Sequence, residues 1–540
     1  MTCFGISLDG EAAFPNVDRE IQVRELYSVG ERGDLLSYSR NTYTNTESHM
    51  KQSEKLSRRI EEHKGNRQGH VRASGHYKAY LNPCLVALND SNLGFSIGPI
   101  SISAVSVADD TYLLASSPRA LQAILNIADF FAKRYRIIFN ADKTKLIVTG
   151  SAIDMDYYKE INTWHLGGES IIAAEDNEHL GLIVSGTSEE QKNVDGNIQA
   201  CRNSLFGLLG PAFAFKCLLP PTVQIHLWQV YNLPVLCSGL GSLPIRSPIM
   251  KSLTRFHNKI LRGFLKLSHA SPIPALHFLL GELPVEARVH MDTLSVFYNI
   301  WANPNTTAHK IVHYILRMAD EKSVTWAAHL RMLCLKYDIP DPLKLLDSGD
   351  LWSKLTWSIL SKTRITVYFE SMLRQQAATN SKMNFLNVKV LGLSGTPHPA
   401  LLNITTTQDV LKLRPHLKLL SGDLLTRERE SLDTGSSPQC KLCHAPVEDI
   451  EHVLVHCSKM ADIRAHILPE ILNTVKAVQP GCAILVNQQP YLAQFILDCT
   501  SLNLPEAYRI PAHHPNVKEI FRISRHWCHA TTKLLKPTKI

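Results

Sequence analysis

The sequence lacks an apolar run long enough to cross a membrane, and its N-terminus lacks the features of a secretion signal. A membrane-spanning helix needs about 18 or more consecutive apolar residues, and no run in the chain approaches that length. The segment that begins at Met1 has neither a basic start nor a sufficient apolar core for a signal peptide. We therefore expect a protein without membrane spans that is not secreted and works inside the cell, in the nucleus, the cytoplasm or both.

Clustered cysteines are scarce, which argues against a framework of disulfides. Twelve cysteines are present, but only Cys440, Cys443 and Cys457 lie close together in the sequence. The others stand singly, at Cys3, Cys84, Cys201, Cys217, Cys237, Cys334, Cys482, Cys499 and Cys528. In a reducing compartment, isolated cysteines of this kind are typically buried free thiols.

A strong net charge of either sign is also missing. The formal net charge is +8 and the isoelectric point is near 8.8, a mild basic excess that permits a nucleic-acid partner without demonstrating one. Apolar material is plentiful, because hydrophobic residues make up 44% of the chain, enough for packed cores. A length of 540 residues corresponds to roughly three or four domains of ordinary size.

Two adjacent aspartates, Asp109 and Asp110, stand between two short runs that favour β-structure. Residues 100–106 largely alternate in character before them, and residues 111–115 follow. This pattern predicts a β-hairpin with both carboxylates at its tip. Adjacent like charges are unfavourable unless a cation binds them, and Mg²⁺ prefers carboxylate oxygens. A polar turn whose acids face water is the alternative, because a single Asp-Asp turn is common.

Other short elements precede this hairpin. A β-prone run ends in Asp9, and residues 19–64 look helical and polar. A loop that contains Gln68 and Gly69 follows. Residues 80–88 then predict an apolar helix.

The pattern continues after the hairpin. Ser117 and Pro118 are typical of an N-cap and the first position of a helix. Strands are expected at 136–139 and 146–149, joined by a polar and basic turn, and a turn-flanked apolar run at 179–184 predicts a further strand.

Five of these motifs, taken in order, resemble the palm of a reverse transcriptase of the non-LTR (LINE-like) retrotransposon class. They are the acid after a short strand, the Gln-Gly loop, the Ala-Asp-Asp hairpin, the Asn-x-x-Lys-Thr-Lys turn and the Leu-Gly run. The resemblance implies an α+β fold in which residues 1–190 form a polymerase palm, an antiparallel sheet with packed helices. It also implies an RNA-directed DNA polymerase, a nucleotidyltransferase whose partners are an RNA template, a DNA primer and deoxynucleoside triphosphates. The sequence indicates no oligomeric state.

The resemblance assigns roles to individual positions. The implied catalytic positions are Asp9, Asp109, Asp110 and Lys143. The implied substrate positions are Phe14, which closes off the sugar 2′ position, Gln68 and Gly69, near the template and the incoming nucleotide, and Leu180 and Gly181, in the strand that grips the primer. The three aspartates would bind two Mg²⁺ ions that clamp the attacking and leaving oxygens. Lys143 would stabilise the charge that builds on the leaving pyrophosphate.

The start of the chain departs from this family pattern. Only eight residues precede Asp9, whereas reverse transcriptases carry a fingers region before the first palm aspartate. Pro15 and Val107 also differ from the residues usual in the family. We therefore expect the C-terminal part of a longer polyprotein, with a palm that lacks most of the fingers.

Residues 191–305 are expected to form a helical thumb. Five basic residues in this region recur at intervals of three or four: Lys251, Arg255, Lys259, Arg262 and Lys266. On a helix they form one stripe, on a different face from Leu253 and Phe256. A helix with a packed face and a uniformly basic face suits binding to a phosphate backbone. A solvated basic face is the alternative. Residues 306–430 are expected to form a helical connector, and we attribute its tryptophans, Trp326, Trp352 and Trp357, to core packing.

Residues 431–540 carry a metal-ligand pattern. Its members, spaced Cys-x2-Cys-x8-His-x4-Cys, are Cys440, Cys443, His452 and Cys457. Such residues can form a tetrahedral set, and one structural Zn²⁺ is favoured over disulfides in a reducing compartment. His444 and His456 are alternative ligands, and four unrelated free residues are the other interpretation. The pattern is similar to the C-terminal Cys-Cys-His-Cys element of LINE-like reverse transcriptases, which implies a module that binds RNA or the DNA target.

The C-terminal tail is basic. Lys518, Arg522 and Arg525 share one face of a predicted helix beside Trp527. Bases can stack on an exposed tryptophan, whereas a partly buried tryptophan is the alternative.

Two functions therefore compete. The first is an RNA-directed DNA polymerase of a non-LTR retrotransposon. The second is a catalytically inactive, retrotransposon-derived nucleic-acid-binding protein. A zinc-dependent enzyme is disfavoured, because a site with four Cys or His ligands leaves no open position on the ion.

Overall fold

A computed structural model describes most of the chain as two compact units. It covers residues 2–11, 13–67, 69–108, 110–140, 143–150, 164–214, 219–319, 323–389, 391–478 and 491–535, with the backbone alone over 208–214. The first unit comprises Met1–Asn193 and Asn303–Met318. The second unit comprises Val194–Ala302 and Ala319–Ile540.

All the strands in the described ranges lie in the first unit. Their bounds are β1 Cys3–Leu8, β2 Thr46–Ser48, β3 Lys51–Gln52, β4 Lys55–Leu56, β5 Ile60–Glu62, β6 Phe95–Ile97, β7 Ile100–Ile102, β8 Ala104–Val107, β9 Asp110–Ala115, β10 Lys145–Thr149, β11 Trp164–Leu166, β12 Glu169–Ala174, β13 Asp176–His179 and β14 Leu182–Ser185. Six of them form one sheet in the order β11-β12-β10-β1-β9-β8. Neighbours in this sheet are antiparallel except β10 and β12, which are parallel.

Helices occur in both units and make up most of the second. Their bounds are α1 Arg19–Ser28, α2 Gly33–Asn41, α3 Ala73–Asp90, α4 Pro118–Tyr135, α5 Glu189–Ala214, α6 Pro221–Leu227, α7 Leu233–Cys237, α8 Ser247–Leu265, α9 Ile273–Leu280, α10 Val285–Trp301, α11 Thr307–Met318, α12 Trp326–Lys336, α13 Pro342–Ser348, α14 Lys354–Ala378, α15 Thr407–Leu420, α16 Arg427–Thr434, α17 Ala461–Val478, α18 Leu492–Leu497 and α19 Val517–Leu535. Among these described helices, none is long and apolar enough to span a membrane.

The central strand β1 is buried from Phe4 to Leu8, and one of its two faces packs on the main core of the first unit. Phe4, Ile6 and Leu8 are buried, and they alternate with residues that point the other way, because successive side chains of a strand face opposite sides. Helices α3 and α4 supply the other half of this core, with residues such as Tyr77 and Leu121. Burying one leucine of this kind stabilises a fold by about 1.5–3 kcal/mol. Because Phe4 to Leu8 are all buried, Asp9, just beyond the end of β1, is the first residue after them with a partly exposed side chain.

Two sequence predictions around the core are confirmed. Strands β8 and β9 form the expected hairpin, in which Val107 pairs with Asp110. Helix α4 begins as expected, since the Ser117 side chain accepts a hydrogen bond from the Ala120 amide and Pro118 occupies the first turn. The helix ends at Arg136, whose φ of 54° is left-handed.

The prediction that residues 19–64 are helical throughout is wrong beyond Asn41. Asn45 adopts a φ of 52° and turns the chain into two small antiparallel ladders, β2 with β5 and β3 with β4. The Arg19 guanidinium donates to the Tyr43 and Glu62 carbonyls at either end of this segment. Tertiary hydrogen bonds thus hold a polar segment that has no apolar stripe with which to pack as a helix.

Three predicted strands also differ from the structure. Residues 100–102 pair with β6 and do not continue into β8. Residues 136–139 contain only a single bridge, from Phe139 to Gly10, because Arg136 redirects the chain. The run 179–184 is a tight hairpin whose turn is Leu180 and Gly181, both at positive φ.

The second unit packs around aromatic residues, as expected for its tryptophans. Trp357 is buried and donates to the Leu294 carbonyl at 3.0 Å. Trp352 and Trp357 both lie against the ring of Trp301. Trp326 is half-buried and donates to the Gly241 carbonyl at 2.9 Å. The prediction of a mainly helical region between residues 191 and 430 is confirmed.

The predicted stacking surface on the C-terminal helix is wrong. In α19, Trp527 is 0% exposed and Arg525 is 1% exposed. Burial lowers the pKa of Arg525 to about 10, and Asp409 opposes this shift. The α19 helix presses this face against α15, so Trp527 is core and cannot stack on a base.

One helix joins the first unit from far along the sequence. The ring of Tyr314 in α11 fills the space beside Gly98, in the turn between β6 and β7. A Cβ on Gly98 would lie 2.2 Å from that ring, and Gly98 has a φ of 59°. Glycine is therefore required at this contact by both space and backbone conformation.

Candidate functional site

The strand register brings predicted catalytic residues together on the open face of the sheet. Leu8 pairs with Thr111, so the next antiparallel position sets Asp9 opposite Asp110. On the other side of β1, Ser7 pairs with Lys145, and from the turn before β10 the Lys143 ammonium reaches the Asp9 carboxylate, with Nζ 3.3 Å from Oδ2. Directly opposed residues in antiparallel strands project from the same face. Asp9 therefore lies between a carboxylate on one side and an ammonium group on the other.

The hairpin tip holds the second carboxylate. Ala108 has a φ of 57°, as tight two-residue hairpin turns require. Asp110 is the first residue of β9 and is half-buried. Asp109, the other predicted acid of the pair, lies outside the described residues.

Lys143 is held next to Asp9 by its turn. Its Nζ lies 3.3 Å from Asp9 Oδ2, with the two side chains 68% and 36% exposed. The Asn140 amide donates to the Asp9 carbonyl at 2.9 Å, and the Asn140 side chain accepts from the Lys143 amide at 3.2 Å. Because both charged groups are open to solvent, water screens this ion pair strongly.

The carboxylates and the lysine line a cleft of about 330 Å³. Its lining residues are Ser7, Asp9, Asp110, Lys143, Lys145, Asn177, Glu178, His179 and Leu180. Several were not predicted from the sequence, and for Ser7 and Lys145 a signal was present. Each lies two residues from a predicted site residue on the same strand or its extension, and therefore on the same face.

His179 connects the β13–β14 hairpin to this face. Its Nδ1 lies 3.3 Å from Ser7 Oγ, and its ring lies 5.1 Å from that of Tyr112. Burial lowers the pKa of His179, and Asp110 opposes the shift. No local sequence signal identified this residue, because its partners are 172 and 67 positions away in the chain.

The predicted primer-gripping residues form a turn and not a strand. Leu180 and Gly181 have φ values of 52° and 76°, which suit the two central positions of a hairpin turn. Leu180 is 53% exposed and lies in the lining of the cleft. The structure thus brings Leu180 to the acids as an exposed apolar tip.

Phe14 lies on the core side of its loop. Its ring stacks on Tyr77 with centroids 5.1 Å apart, and it is half-buried. Its carbonyl accepts from the Asn66 amide at 2.7 Å, which holds the loop after β1 against the loop that leads to Gly69. Gly69 has a φ of 83°, as a loop position suits, and Gln68 lies outside the described residues.

The basic stripe of α8 is exposed over only part of its length. Lys251, Arg255 and Lys259 are exposed, whereas Arg262 and Lys266 are half-buried. Arg262 donates to the Ser271 carbonyl at 3.2 Å, and burial lowers its pKa while Asp423 opposes the shift.

Lys266 is the residue at which α8 ends. It has a φ of 54°, and burial together with the charge of Arg414 lowers its pKa. The predicted basic stripe is therefore exposed at its first three members, whereas the last two are half-buried at the C-terminal end of the helix.

The cysteine and histidine pattern converges as its spacing predicts. The ligand atoms of Cys440, Cys443, His452 and Cys457 all lie within 4.8 Å of one another. The Sγ of Cys443 and the Nε2 of His452 are 3.3 Å apart, and a helical segment, His452–His456, presents the histidine. Three thiols and one imidazole at such distances could hold one metal ion, since these are the ligands of closed tetrahedral sites.

The neighbouring histidines do not belong to this cluster. His444 is exposed in the turn after Cys443, and His456 is exposed and lies 3.9 Å from Glu451. Cys440 is 1% exposed, and burial raises the pKa of its thiol to about 12. A bound cation would reverse that shift, because metal ligation requires the thiolate.

Comparison with known proteins gives one family. Residues 1–184 match the family model for reverse transcriptase (RNA-dependent DNA polymerase). This match supports a reverse transcriptase domain over the part of the chain that carries the cleft, with a nucleic-acid template and primer and deoxynucleotides as its general substrates. No curated protein sequence matches the chain.

Proposed function

We propose that this protein is an RNA-directed DNA polymerase of the non-LTR retrotransposon type, which extends a DNA primer on an RNA template. The observation that carries the proposal is the position of Asp9 in an open cleft, between Asp110, which the β1–β9 register sets beside it, and Lys143, which forms an ion pair with it. That cleft lies within the segment that matches the reverse transcriptase family. Opposed carboxylates on adjacent strands are what nucleotidyl transfer needs to hold cations against a phosphate.

Asp9, Asp110 and Asp109 would hold two Mg²⁺ ions. Bound there, the ions would supply the positive charge that stabilises the attacking and leaving oxygens at the α-phosphorus. The described carboxylates fit this role, because Asp9 and Asp110 both line the cleft and an oxygen-rich, solvent-accessible site suits a hard cation. The Asp9 carboxylate already attracts one cationic group, Lys143 Nζ.

Lys143 would stabilise the negative charge on the leaving pyrophosphate. Its long side chain stands on a turn and is largely exposed, so it can move from Asp9 to a phosphate without disturbing the core. In this proposal Phe14, Gln68 and Gly69 serve the incoming nucleotide and template, and Leu180 and Gly181 contact the primer. The exposed position of Leu180 at the cleft supports its part.

The remaining regions would bind nucleic acid. We assign residues 191–305 to a thumb, whose exposed cations Lys251, Arg255 and Lys259 meet a phosphate backbone. Residues 306–430 would be a connector. Residues 431–540 would form a module held by one structural Zn²⁺ on the four-ligand cluster, which binds RNA or the DNA target.

A non-catalytic nucleic-acid-binding protein is the competing function. The Lys143–Asp9 ion pair favours it, because an internal cation already offsets one of the carboxylates. The two functions share every binding surface and differ only in whether the cleft performs nucleotidyl transfer.

Primer extension by the full chain separates them. With Mg²⁺, a poly(A) template and an oligo(dT) primer, we expect extension by the wild-type chain. Asp9→Asn should lower the rate by at least about 10²–10³-fold, the scale seen when a group that stabilises transition-state charge is removed. Glu11→Gln is the matched control, since Glu11 is an exposed acid two residues further on.

The fold of the variant must be checked in the same experiment. Asp9→Asn should change the free energy of unfolding by less than about 0.5 kcal/mol, because the residue is partly exposed and outside the core. A wild-type chain that binds the duplex without extending it would support the binding protein and reject the polymerase.

A further inference from the structure

Lys145 occupies a position in the cleft to which the proposed chemistry gives no role. It is the first residue of β10 and is exposed. It pairs with Ser7 across β1, two residues before Asp9. Lys145 therefore shares the face of the sheet on which Ser7 lies, and it follows Lys143 by two residues in the chain.

In the described part of the cleft, Lys143 takes part in an ion pair and Lys145 does not. Within the described residues, Lys143 has Asp9 as its ion-pair partner, whereas no carboxylate forms an ion pair with Lys145. Glu178 also lines the cleft but forms no ion pair with Lys145 in the described part of the chain. Across the ranges that the structure describes, the strand register therefore holds Lys145 beside these acids without an ion pair.

Its neighbours on the same face can donate hydrogen bonds. Ser7 lies directly across from Lys145, and its hydroxyl contacts Nδ1 of His179 at 3.3 Å. Lys145, Ser7 and His179 all line the cleft. In either neutral tautomer of His179, the imidazole or the Ser7 hydroxyl donates to the other, and one hydrogen, on Nε2 or on the Ser7 hydroxyl, remains for a ligand. Together with the Lys145 ammonium group, this donor suits a phosphate anion.

We propose that Lys145, supported by Ser7 and His179, binds a phosphate group of the substrate. The phosphate would lie beside the acids, at the position of Ser7 on the sheet. The proposal rests on the polymerase function and adds a binding residue to its cleft. The phosphate belongs either to the backbone of a bound strand or to the triphosphate of the incoming nucleotide. Both present the same anion, and the two sources are separable by experiment.

The first measurement is binding of a primer–template duplex to the full chain without deoxynucleotides. For a backbone phosphate, Lys145→Gln should weaken binding about tenfold, as expected for loss of one charge-assisted hydrogen bond. It should also reduce the slope of log K against log salt by about 1, and Lys145→Arg should retain most of the affinity. Lys78→Gln is the matched control, because Lys78 is exposed on α3, which packs on the other face of the sheet.

The second measurement is steady-state extension at varied deoxynucleotide concentration. If Lys145 binds a phosphate of the incoming deoxynucleoside triphosphate, Lys145→Gln should leave the duplex affinity unchanged. Its KM for the deoxynucleotide should rise about tenfold, while kcat is retained. For a backbone phosphate, primers with a single neutral methylphosphonate linkage locate the contact. One linkage should weaken binding to the wild-type chain and have no further effect on Lys145→Gln.

The outcomes separate this inference from the proposed function. If the wild-type chain binds and extends the duplex, and Lys145→Gln equals Lys78→Gln in both measurements, the phosphate site is rejected and the polymerase stands. If the wild-type chain binds a duplex without extending it, the duplex affinities of Lys145→Gln and Lys78→Gln alone decide whether Lys145 binds a phosphate. If it binds no duplex and extends no primer, both proposals are rejected.

Discussion

The two compact units differ in the solvent exposure of their charged and titratable groups. In the first unit, Asp9 and Lys143 stand on an open sheet face and remain in contact with water. In the second unit, several titratable side chains are buried, among them those of Cys440, Glu282 and Arg525. An exposed site can exchange ligands and substrate, whereas a buried site holds its partners permanently. The charged groups of the cleft are thus accessible to a ligand, whereas these buried groups of the second unit take part in its packing.

The ligand types follow the same division. The cleft presents carboxylate oxygens in a solvent-accessible setting, and a cation bound there would keep coordination positions for substrate. The cluster of Cys440, Cys443, His452 and Cys457 presents four soft or borderline ligands to one point, which closes the coordination shell. Variants of the cluster and of the buried groups in the second unit should therefore lose stability, while variants in the cleft should lose function and keep their stability.

The largest effect is expected at the cysteine and histidine cluster. Cys440→Ser should abolish binding of about one Zn²⁺ per chain. Structural zinc contributes about 10–16 kcal/mol of apparent binding free energy in small modules at neutral pH, so the region around Met460 and Leu442 should unfold with it. Metal analysis of the purified chain and thermal unfolding measure the two losses.

His444→Asn is the matched control for this cluster. His444 is exposed and has a φ of 61°, a conformation that asparagine tolerates. The control variant should retain the metal and the stability of the wild-type chain. Metal retained by Cys440→Ser, or lost from His444→Asn, would contradict the assigned ligand set.

A pH effect of intermediate size is expected from Glu282. Burial raises its pKa from 4.5 to about 7, against a hydrogen bond from Gln229 and the charge of Arg288. The folded state therefore holds the proton more tightly than the unfolded state. Stability from this group is fully present below about pH 4.5 and is lost as pH rises to about 7, by roughly 3 kcal/mol.

Glu282→Gln tests this buried carboxyl. The amide can still accept the Gln229 hydrogen bond and does not titrate. Unfolding of the full chain, measured from pH 4 to 8, should show a smaller loss of stability in Glu282→Gln than in the wild type. Glu506→Gln, which changes an exposed acid of the same unit, should follow the wild-type profile. Identical profiles for all three chains would show that Glu282 does not carry the effect.

The smallest effect should distinguish two arginines of α8. Arg262→Ala removes a hydrogen bond to the Ser271 carbonyl and should cost about 1 kcal/mol of stability. Arg255→Ala should cost less than about 0.5 kcal/mol, because Arg255 is exposed. In duplex binding the order should reverse, and Arg255→Ala should reduce the salt slope by about 1. Equal salt slopes for the two variants would remove the distinction between exposed and packed cations on this helix.

Local patterns were sufficient to predict several parts of this molecule. Three of them depend on residues that are close together in the chain. They are the β8–β9 hairpin, the capped start of α4 and the cluster of Cys440, Cys443, His452 and Cys457. Their physical causes are strand alternation, an N-cap hydrogen bond and ligand spacing. Each acts over a few to about twenty residues.

The failures came from contacts between distant residues or from an overlooked turn. Trp527 is core because α19 packs against α15 and α17, and His179 reaches the cleft because the β13–β14 hairpin lies beside β10. No local pattern specifies such neighbours. The turn at Leu180 and Gly181 is different, since a glycine within an apolar run is itself a turn signal.

The placement of α11 has a consequence for biosynthesis. Tyr314 fills the space beside Gly98 in the first unit, yet the ribosome must first make Val194–Ala302, which belongs to the second unit. At about 5–20 residues per second this takes roughly 5–20 s. During that interval the β6–β7 turn lacks its contact with Tyr314. Folding of the first unit is therefore completed only after α11 has been synthesised.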